Sequence, residues 1–418
     1  MNAGTRLRIA VRGAPSAARV QGGHVAATGL FTALTLALLA FAAPRALAAQ
    51  SLIGSQGLGI PLEALDGRSR ALGSVGVGLF GGAVLPTDPA RASRVTVPSI
   101  SVTIQPSRGA AAIGEESVPI EGTRFPLLAL SYPVRNHGVA TLSYGGLLEQ
   151  NWKAERTLRL AREQDSIDVA DTYESDGSVG AARIGFARAL SGGFSVAASL
   201  GFHTGTQVRS FSRTIGVVED EEQETGDRFR ERGRWEMTGT TFGLGAMWDF
   251  RDFLRVSGSL TWSGDLRATP VGQTEGGEAR FELPTEFRIG ASAMLTPVVA
   301  ATLGFGRSNW TPSESGAGAA ARGAVTTLGG GFEWSGMGLF GRGFPLRVGY
   351  RKAGLPFSID ASTPTERGFA AGFGWNLLET EDLIIAAFDF SYERGTRETD
   401  SISESFSRYT FSFRASSF

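Results

Sequence analysis

Large apolar residues alternate with small or polar ones in three stretches of the chain, at 194–203, 254–262 and 287–295. A period of two predicts β-strands whose side chains point to opposite faces. The runs exceed the usual strand length of about 5–6 residues and match the roughly 9–11 that a tilted strand needs to cross a bilayer. We therefore predict transmembrane strands, with Phe194 to Phe202 facing lipid and Ser195 to His203 facing the lumen of a barrel.

The remainder of the chain beyond residue 95 contains further candidates, about fourteen strands in all, an even number as single-chain bacterial barrels require. The candidates are 95–105, 125–133, 138–149, 178–190, 193–207, 234–250, 253–263, 280–295, 297–309, 324–335, 344–352, 367–377, 382–393 and 406–418. Long polar connections, such as 150–177 and 208–233, take turns with short ones such as Ser191-Gly192. Outer-membrane barrels have long outer loops and short periplasmic turns, so the alternation predicts an antiparallel barrel with both termini on the periplasmic side.

The first 49 residues have the features of an export signal. Four arginines between positions 6 and 19 precede an apolar stretch at 29–43, and Ala46-Leu47-Ala48 follows as a small-residue cleavage site. We expect residues 1–49 to be a signal peptide, with an uncleaved anchor as the alternative. The chain contains no cysteine, which excludes disulfides and thiolate metal sites.

Residues 50–94 differ from the predicted barrel at 95–418. Glycines cluster here, among them Gly73, Gly76 and Gly78, and the sequence Asp88-Pro89-Ala90 follows. Proline and clustered glycine disfavour a long regular strand, and these glycines do not form the G-x-G-x-x-G of a nucleotide loop. We predict a compact plug, or hatch, inside the pore, built on these six residues.

A predicted barrel of this kind is compatible with two functional classes, a channel and an enzyme. A formal net charge of −1 gives no basis for nucleic-acid binding. An enzyme needs a nucleophile and an orienting acid beside an imidazole, yet outside the signal peptide the only histidines are His137, in a predicted turn, and His203. We expect no catalytic residue, cofactor or metal. His203, Met247 and Met294 are the lumen candidates for ligand contact, and ordinary filling of the barrel accounts for them equally well.

An acidic run at 219–224 is followed by Arg228, Arg230, Arg232 and Arg234. One interpretation is binding of divalent cations by the acids and of lipopolysaccharide phosphates by the arginines. The other is a solvated loop whose two halves pair with each other. The two-residue spacing also allows all four arginines to face the lumen from one strand.

Aromatic residues near the strand ends predict an interfacial girdle. They are Trp248, Phe250, Trp262, Trp310, Trp334 and Trp375. The ending Tyr409, Phe411, Phe413, Phe418 is similar to the alternating aromatic signal that the barrel assembly machinery recognises. Phe418 is out of phase, which a bulge near 414–417 would correct.

Three stretches together resemble the FadL/TodX family of outer-membrane transporters for long-chain fatty acids and other hydrophobic compounds. The Gly-rich stretch 69–79, leading to Asp88-Pro89-Ala90, is similar to the family's N-terminal segment, which ends in Asn-Pro-Ala. The stretches LPTEFRIG at 283–290 and PLRVGY at 345–350 resemble two of its strands. Their order covers most of the chain after the signal peptide, and the main departure is Asp88 in place of asparagine.

This resemblance implies a monomeric fourteen-stranded barrel with an N-terminal plug in the outer membrane of a Gram-negative bacterium. The barrel would be surrounded by lipid and lipopolysaccharide. The implied function is passive uptake of hydrophobic small molecules such as long-chain fatty acids. The alternatives are a FadL-like barrel that serves as an assembly or secretion partner, and a general diffusion porin.

Overall fold

A computed structural model describes residues 51–55, 57–114, 116–162, 165–215, 227–310, 323–359, 363–379 and 384–416. Fourteen antiparallel strands form a closed barrel, because the last strand pairs with the first. In chain order they are β1 (Ser99–Ile113), β2 (Glu116–Val134), β3 (Gly138–Glu149), β4 (Asp165–Ala189), β5 (Phe194–Ile215), β6 (Asp227–Phe250), β7 (Leu254–Ser263), β8 (Thr285–Thr296), β9 (Val299–Asn309), β10 (Ala324–Trp334), β11 (Leu346–Gly354), β12 (Thr365–Glu379), β13 (Ile384–Glu398) and β14 (Ile402–Ser416). The predicted fold class is confirmed, and each sequence candidate overlaps one strand.

The two faces of the wall differ in exposure as the alternation predicts. Phe194 and Phe202 are 53% and 61% exposed, whereas Ser195 and His203 on the same strand are buried. Large apolar side chains are exposed in the same way around the barrel, which is the surface that a transmembrane barrel presents to lipid. No helix in the described part of the chain is long and apolar enough to cross a membrane.

The predicted long loops at 150–177 and 208–233 are largely strand in their described residues. The strand Trp152–Arg162 pairs with the beginning of β4, while β5 and β6 remain paired as far as Ile215 and Asp227. Both faces of these extensions carry polar residues, so the alternation stops although the hydrogen-bond ladder continues. At roughly 2.5 Å of height per tilted residue, β5 rises roughly 30 Å beyond Phe202.

The four arginines of β6 face outward, not into the lumen. Arg228, Arg230 and Arg232 lie opposite Thr214, Ser212 and Ser210 of β5 on the exposed face. The residues that alternate with these arginines face inward. Met237 belongs to the same inward-facing set further along β6 and is buried. The acidic run at 219–224 lies outside the described residues.

Trp310 corrects the predicted girdle. It is only 6% exposed, packs with Phe281 and Leu283, and donates its indole N–H to the hydroxyl of Ser308. The chain turns into the lumen where β9 ends, which carries this indole inside. The other five aromatics are at least partly exposed.

The predicted C-terminal bulge is absent from the residues that the structure describes. Arg414, Ala415 and Ser416 pair in regular register with Ser101, Ile100 and Ser99 of β1. The ladder that closes the barrel therefore keeps the same register as far as Ser416. Phe418 lies outside the described residues.

Candidate functional site

Residues 51–94, here called the N-terminal segment, contact the inner face of the wall on opposite sides. A short helix, Gly67–Ala71, packs against β11 to β14, and a 3-10 helix, Pro89–Arg94, packs against β3 to β6. The side chain of Asp66 caps the first helix by accepting a hydrogen bond of 2.7 Å from the Ser69 N–H. Because it touches opposite walls, the segment lies within the lumen.

Inward-facing glycines allow the segment to approach the wall closely. A Cβ atom on Gly349 of β11 would lie 2.2 Å from the carbonyl carbon of Leu72. A Cβ atom on Gly290 of β8 would lie 2.5 Å from the carbonyl oxygen of Val77. Any side chain at these two positions would displace the segment. Glycine is therefore required there for the segment to pack against the wall.

Of the six predicted plug residues, Gly78 and Asp88 are in direct contact, through a hydrogen bond from the Gly78 N–H to the Asp88 carboxylate. Gly73, Gly76 and Gly78 have φ values of +57°, +85° and +79°, in the left-handed region that favours glycine. Pro89 begins the 3-10 helix, and Ala90 is fully buried. These residues shape the part of the segment that faces β6 to β11.

Asp88 joins this part of the segment to the wall. One carboxylate oxygen accepts a hydrogen bond of 2.7 Å from the Ser257 hydroxyl, and the other accepts one of 3.0 Å from the Gly78 N–H. A carboxylate accepts from both donors at once, whereas an asparagine amide has one acceptor oxygen and would require the serine hydroxyl to accept. The aspartate therefore suits its two neighbours directly.

Ion pairs also hold the segment to the wall. Glu63 pairs with Arg288 of β8 at 3.2 Å, with Arg351 of β11, and with Arg70 of the segment itself. Burial raises the pKa of Glu63, but the three guanidinium groups outweigh it and lower that pKa to about 2. The carboxylate is thus ionised under ordinary conditions, and it joins the segment to two strands.

The wall from β10 to β14 carries a second set of buried ion pairs. Arg347 contacts Glu333 and Asp389, each at 2.6 Å. Further around the barrel, the guanidinium groups of Arg397 and Arg408 both lie 2.7 Å from the Glu366 carboxylate. Charge on this side of the lumen is therefore largely neutralised within the protein.

A cavity of about 110 Å³ lies between the N-terminal segment and the wall. Part of its lining is apolar and comes from Leu62, Leu147, Trp310, Val325 and Leu355. The charged part contains six arginines and three glutamates, namely Arg70, Arg124, Arg183, Arg288, Arg351, Arg408, Glu63, Glu286 and Glu366. The excess of guanidinium groups favours an anionic group beside an apolar surface.

Arg183 differs from the other arginines of this cavity. It is half-buried on the inward-facing side of β4, opposite Ser143 and Gly201. It makes no hydrogen bond or ion pair with any described residue, and the carboxylate with which it interacts electrostatically is that of Glu286, which lines the same cavity. Its guanidinium is therefore available to a ligand. The alternation in the sequence predicts that Arg183 faces the lumen. Whether it forms an ion pair depends on contacts between distant strands, which the alternation does not predict.

None of the three lumen candidates from the sequence lines the cavity. Met247 is buried in a cluster with Ala90, and Met294 is half-buried in β8 opposite Ala300. The imidazole Nε2 of His203 lies 3.3 Å from the hydroxyl of Ser263, which does line the cavity. The Nδ1 atom of His203 has no partner among the described residues, so no carboxylate orients this serine–histidine contact.

Solved structures share the fold, although no family model and no curated protein matches the sequence. A Pseudomonas aeruginosa FadL homologue aligns with a TM-score of 0.59 at 11% identity, covering 86% of this chain and 99% of that one. The Pseudomonas putida toluene transporter TodX aligns at 0.53 with 13% identity, covering 85% and 99%. The Ralstonia pickettii toluene transporter TbuX aligns at 0.51 with 14% identity, covering 85% and 99%. The FadL-type fold expected from the sequence is confirmed.

Proposed function

We propose that this protein is an outer-membrane channel for the passive uptake of hydrophobic small molecules, including amphiphiles with one anionic group such as long-chain fatty acids. The cavity carries the proposal, because apolar side chains and the unpaired Arg183 guanidinium line the same space. The exposed apolar belt supports placement in lipid, and the toluene transporters among the structural neighbours are consistent with hydrophobic cargo.

In this proposal, binding combines two interactions. Leu62, Leu147 and Trp310 remove the apolar part of the ligand from water, which contributes about 25 cal/mol per Å² of buried surface. Arg183 donates charge-assisted hydrogen bonds to a carboxylate. No energy source is required, since the ligand moves down its own concentration gradient.

The N-terminal segment acts as the plug in this scheme. Pockets for drug-sized ligands enclose about 300–1,000 Å³. The present cavity is about 110 Å³, so it accommodates only part of a long hydrocarbon chain. Passage therefore requires the segment to shift relative to the wall.

Uptake in a Gram-negative host that lacks its own channel of this kind tests the proposal. The full chain should accelerate the entry of radiolabelled oleate and of toluene above the level of the empty host. The Arg183→Ala variant should slow oleate and leave toluene unchanged. Arg232→Ala, which removes an exposed arginine outside the lumen, is the matched control and should behave as the parent chain.

Conductance in planar bilayers distinguishes this channel from a diffusion porin. A lumen that holds the N-terminal segment should pass little ionic current. Large, steady conductance by the full chain, together with uptake at the empty-host level, would overturn the proposal.

A further inference from the structure

The outward face of β11 to β14 carries a row of aromatic side chains near its outer-loop end. The rings of Tyr350 and Phe369 lie 4.6 Å apart, and those of Tyr392 and Tyr409 lie 5.3 Å apart. Phe369 is 71% exposed. On these strands the side chains of the same face toward the opposite end are apolar, as at Val348. Tyrosines at the limit of an apolar belt mark the boundary between hydrocarbon and headgroups.

Basic side chains begin two residues beyond this row. Lys352 follows Tyr350, Arg367 precedes Phe369, and Arg394 follows Tyr392 in the direction of the outer loops. Lys352 and Arg367 lie directly opposite each other in the β11–β12 ladder. Like charges placed this way destabilise a sheet, and an anion bound beside them would offset the repulsion.

These cations have no carboxylate partner among the described residues. All three are exposed, and none forms an ion pair with a residue that the structure describes. Arg394 donates only to the Ser407 hydroxyl, at 3.2 Å. They therefore differ from the lumen arginines of the same strands, which contact carboxylates.

A groove of about 550 Å³ runs between the aromatic row and the cations. Arg367 and Arg394 line it together with the hydroxyl-bearing Thr396 and Ser405, while Tyr350 and Phe369 form its apolar side. From the outer-loop end toward the membrane, the groove thus presents cations and hydroxyls first and aromatic rings next. A lipid has the same order, with its polar headgroup above its hydrocarbon chains.

We propose that this groove binds the phosphorylated sugar headgroup of an outer-leaflet glycolipid. A phosphate lies between Arg367 and Arg394, sugar hydroxyls meet Thr396 and Ser405, and the acyl chains begin against Phe369. Basic pockets at the membrane surface recognise lipid phosphates in this manner. The proposal rests on the outer-membrane placement proposed above and concerns a surface separate from the lumen.

The arginine row of β6 provides a matched comparison on the same outward side of the wall. Arg228, Arg230 and Arg232 are also exposed, and none of them has a described carboxylate within ion-pair distance. They stand ten or more positions from the exposed Phe242 of the apolar belt, roughly 25 Å or more above it. A phosphate at the level of the aromatic row reaches the groove but not this row.

Titration of the purified full-length protein with bisphosphorylated lipid A, followed by native mass spectrometry, tests the proposal. The parent chain should bind it, and the dephosphorylated lipid should bind at least about tenfold more weakly, because the phosphate–cation contacts are lost. The triple variant Lys352→Ser, Arg367→Ser, Arg394→Ser should weaken binding of the phosphorylated lipid by a similar factor. The control triple variant Arg228→Ser, Arg230→Ser, Arg232→Ser should stay within about twofold of the parent chain.

Three results would overturn the proposal. These are equal binding of the phosphorylated and dephosphorylated lipids, unchanged binding by the groove variant, and an equal loss in the control variant. The lipid comparison uses the parent chain, so it decides the matter even if the groove variant does not fold. Solute uptake plays no part in this measurement, so its failure and failure of the channel proposal are distinguishable.

Discussion

The two sides of the lumen satisfy their charges in different ways. On the wall from β10 to β14, Arg347, Arg397 and Arg408 each contact at least one carboxylate. On the wall from β3 to β7, Arg183 forms no hydrogen bond or ion pair with a described residue, and His203 forms a hydrogen bond only with a hydroxyl. The first wall is neutralised within the protein. The second wall also contains paired charge, since Arg255 of β7 contacts Asp249 of β6 at 2.5 Å, but its Arg183 and His203 have no carboxylate at ion-pair distance among the described residues.

Arginines in ion pairs and arginines outside them have different consequences for the protein. A buried ion pair offers little net stability relative to apolar packing, but removing one partner leaves an uncompensated charge at a cost of about 3–5 kcal/mol. The paired wall also holds the N-terminal segment, because Glu333 of β10 contacts Arg68 of the segment at 2.7 Å. A single free guanidinium supplies hydrogen bonds to a ligand without first breaking a contact inside the protein.

Deleting residues 51–94 should have the largest effect, because it removes the segment and its ion pairs from the lumen. Single-channel conductance in planar bilayers should rise severalfold or more above that of the full chain. Heat-modifiable electrophoretic mobility checks that the barrel still forms. Unchanged conductance in a folded barrel would refute the assignment of this segment as the plug.

Gly349→Val should displace the segment while leaving the strand intact, since a Cβ atom there meets the backbone of Leu72 at 2.2 Å. We expect faster proteolysis of the segment and a higher conductance than in the parent chain. Gly258→Val is the matched control, because the nearest atom to its Cβ lies at 3.5 Å. Equal protease resistance in both variants would show that close approach at β11 does not hold the segment.

Glu63→Gln should destabilise the docked segment by about 3–5 kcal/mol, because three guanidinium groups lose their shared carboxylate. Thermal unfolding in detergent should show a lower midpoint. Glu155→Gln, on an exposed side chain, is the control and should leave the midpoint unchanged.

The same carboxylate predicts a pH dependence. Because folding lowers its pKa from 4.5 to about 2, its contribution to stability is present above pH 4.5 and is lost as the pH falls toward 2. Over that interval the midpoint of the parent chain should approach that of Glu63→Gln. A constant difference between the two proteins across the interval would contradict this role.

Arg183→Ala should have the smallest and most selective effect. Oleate binding should weaken by roughly tenfold, the value of one charge-assisted hydrogen bond, while the methyl ester of oleate binds as before. Isothermal titration of the full-length protein with both ligands measures this. An equal loss for the two ligands would indicate a general change in the cavity and not a carboxylate contact.

The sequence predicts the wall well because a single rule governs it. The alternation from Phe194 to His203 assigns each residue to lipid or lumen, and the burial of Ser195 and the exposure of Phe202 follow it. The alternation rule does not identify a strand when both of its faces are exposed to water, because both faces then carry polar residues. The strand Trp152–Arg162 therefore lies within a predicted loop, although it pairs with an extension of the wall strand β4.

The site is less accessible to sequence reasoning because it depends on contacts between distant strands. Whether an inward arginine is paired is decided by neighbours such as Glu366, which lies 42 residues from Arg408. Periodicity places Arg183 in the lumen but does not reveal that it lacks a partner. Trp310 fails for a related reason, because the direction of the chain after β9 ends is not encoded in the alternation.

The most direct test of the central claim is a crystal structure of the full chain with a bromine-labelled long-chain fatty acid. The anomalous signal should place the bromine in the lumen near Leu62, Leu147 or Trp310, with the carboxylate at the Arg183 guanidinium. A labelled ligand found only on the outer, lipid-facing surface, with the cavity empty, would contradict the account.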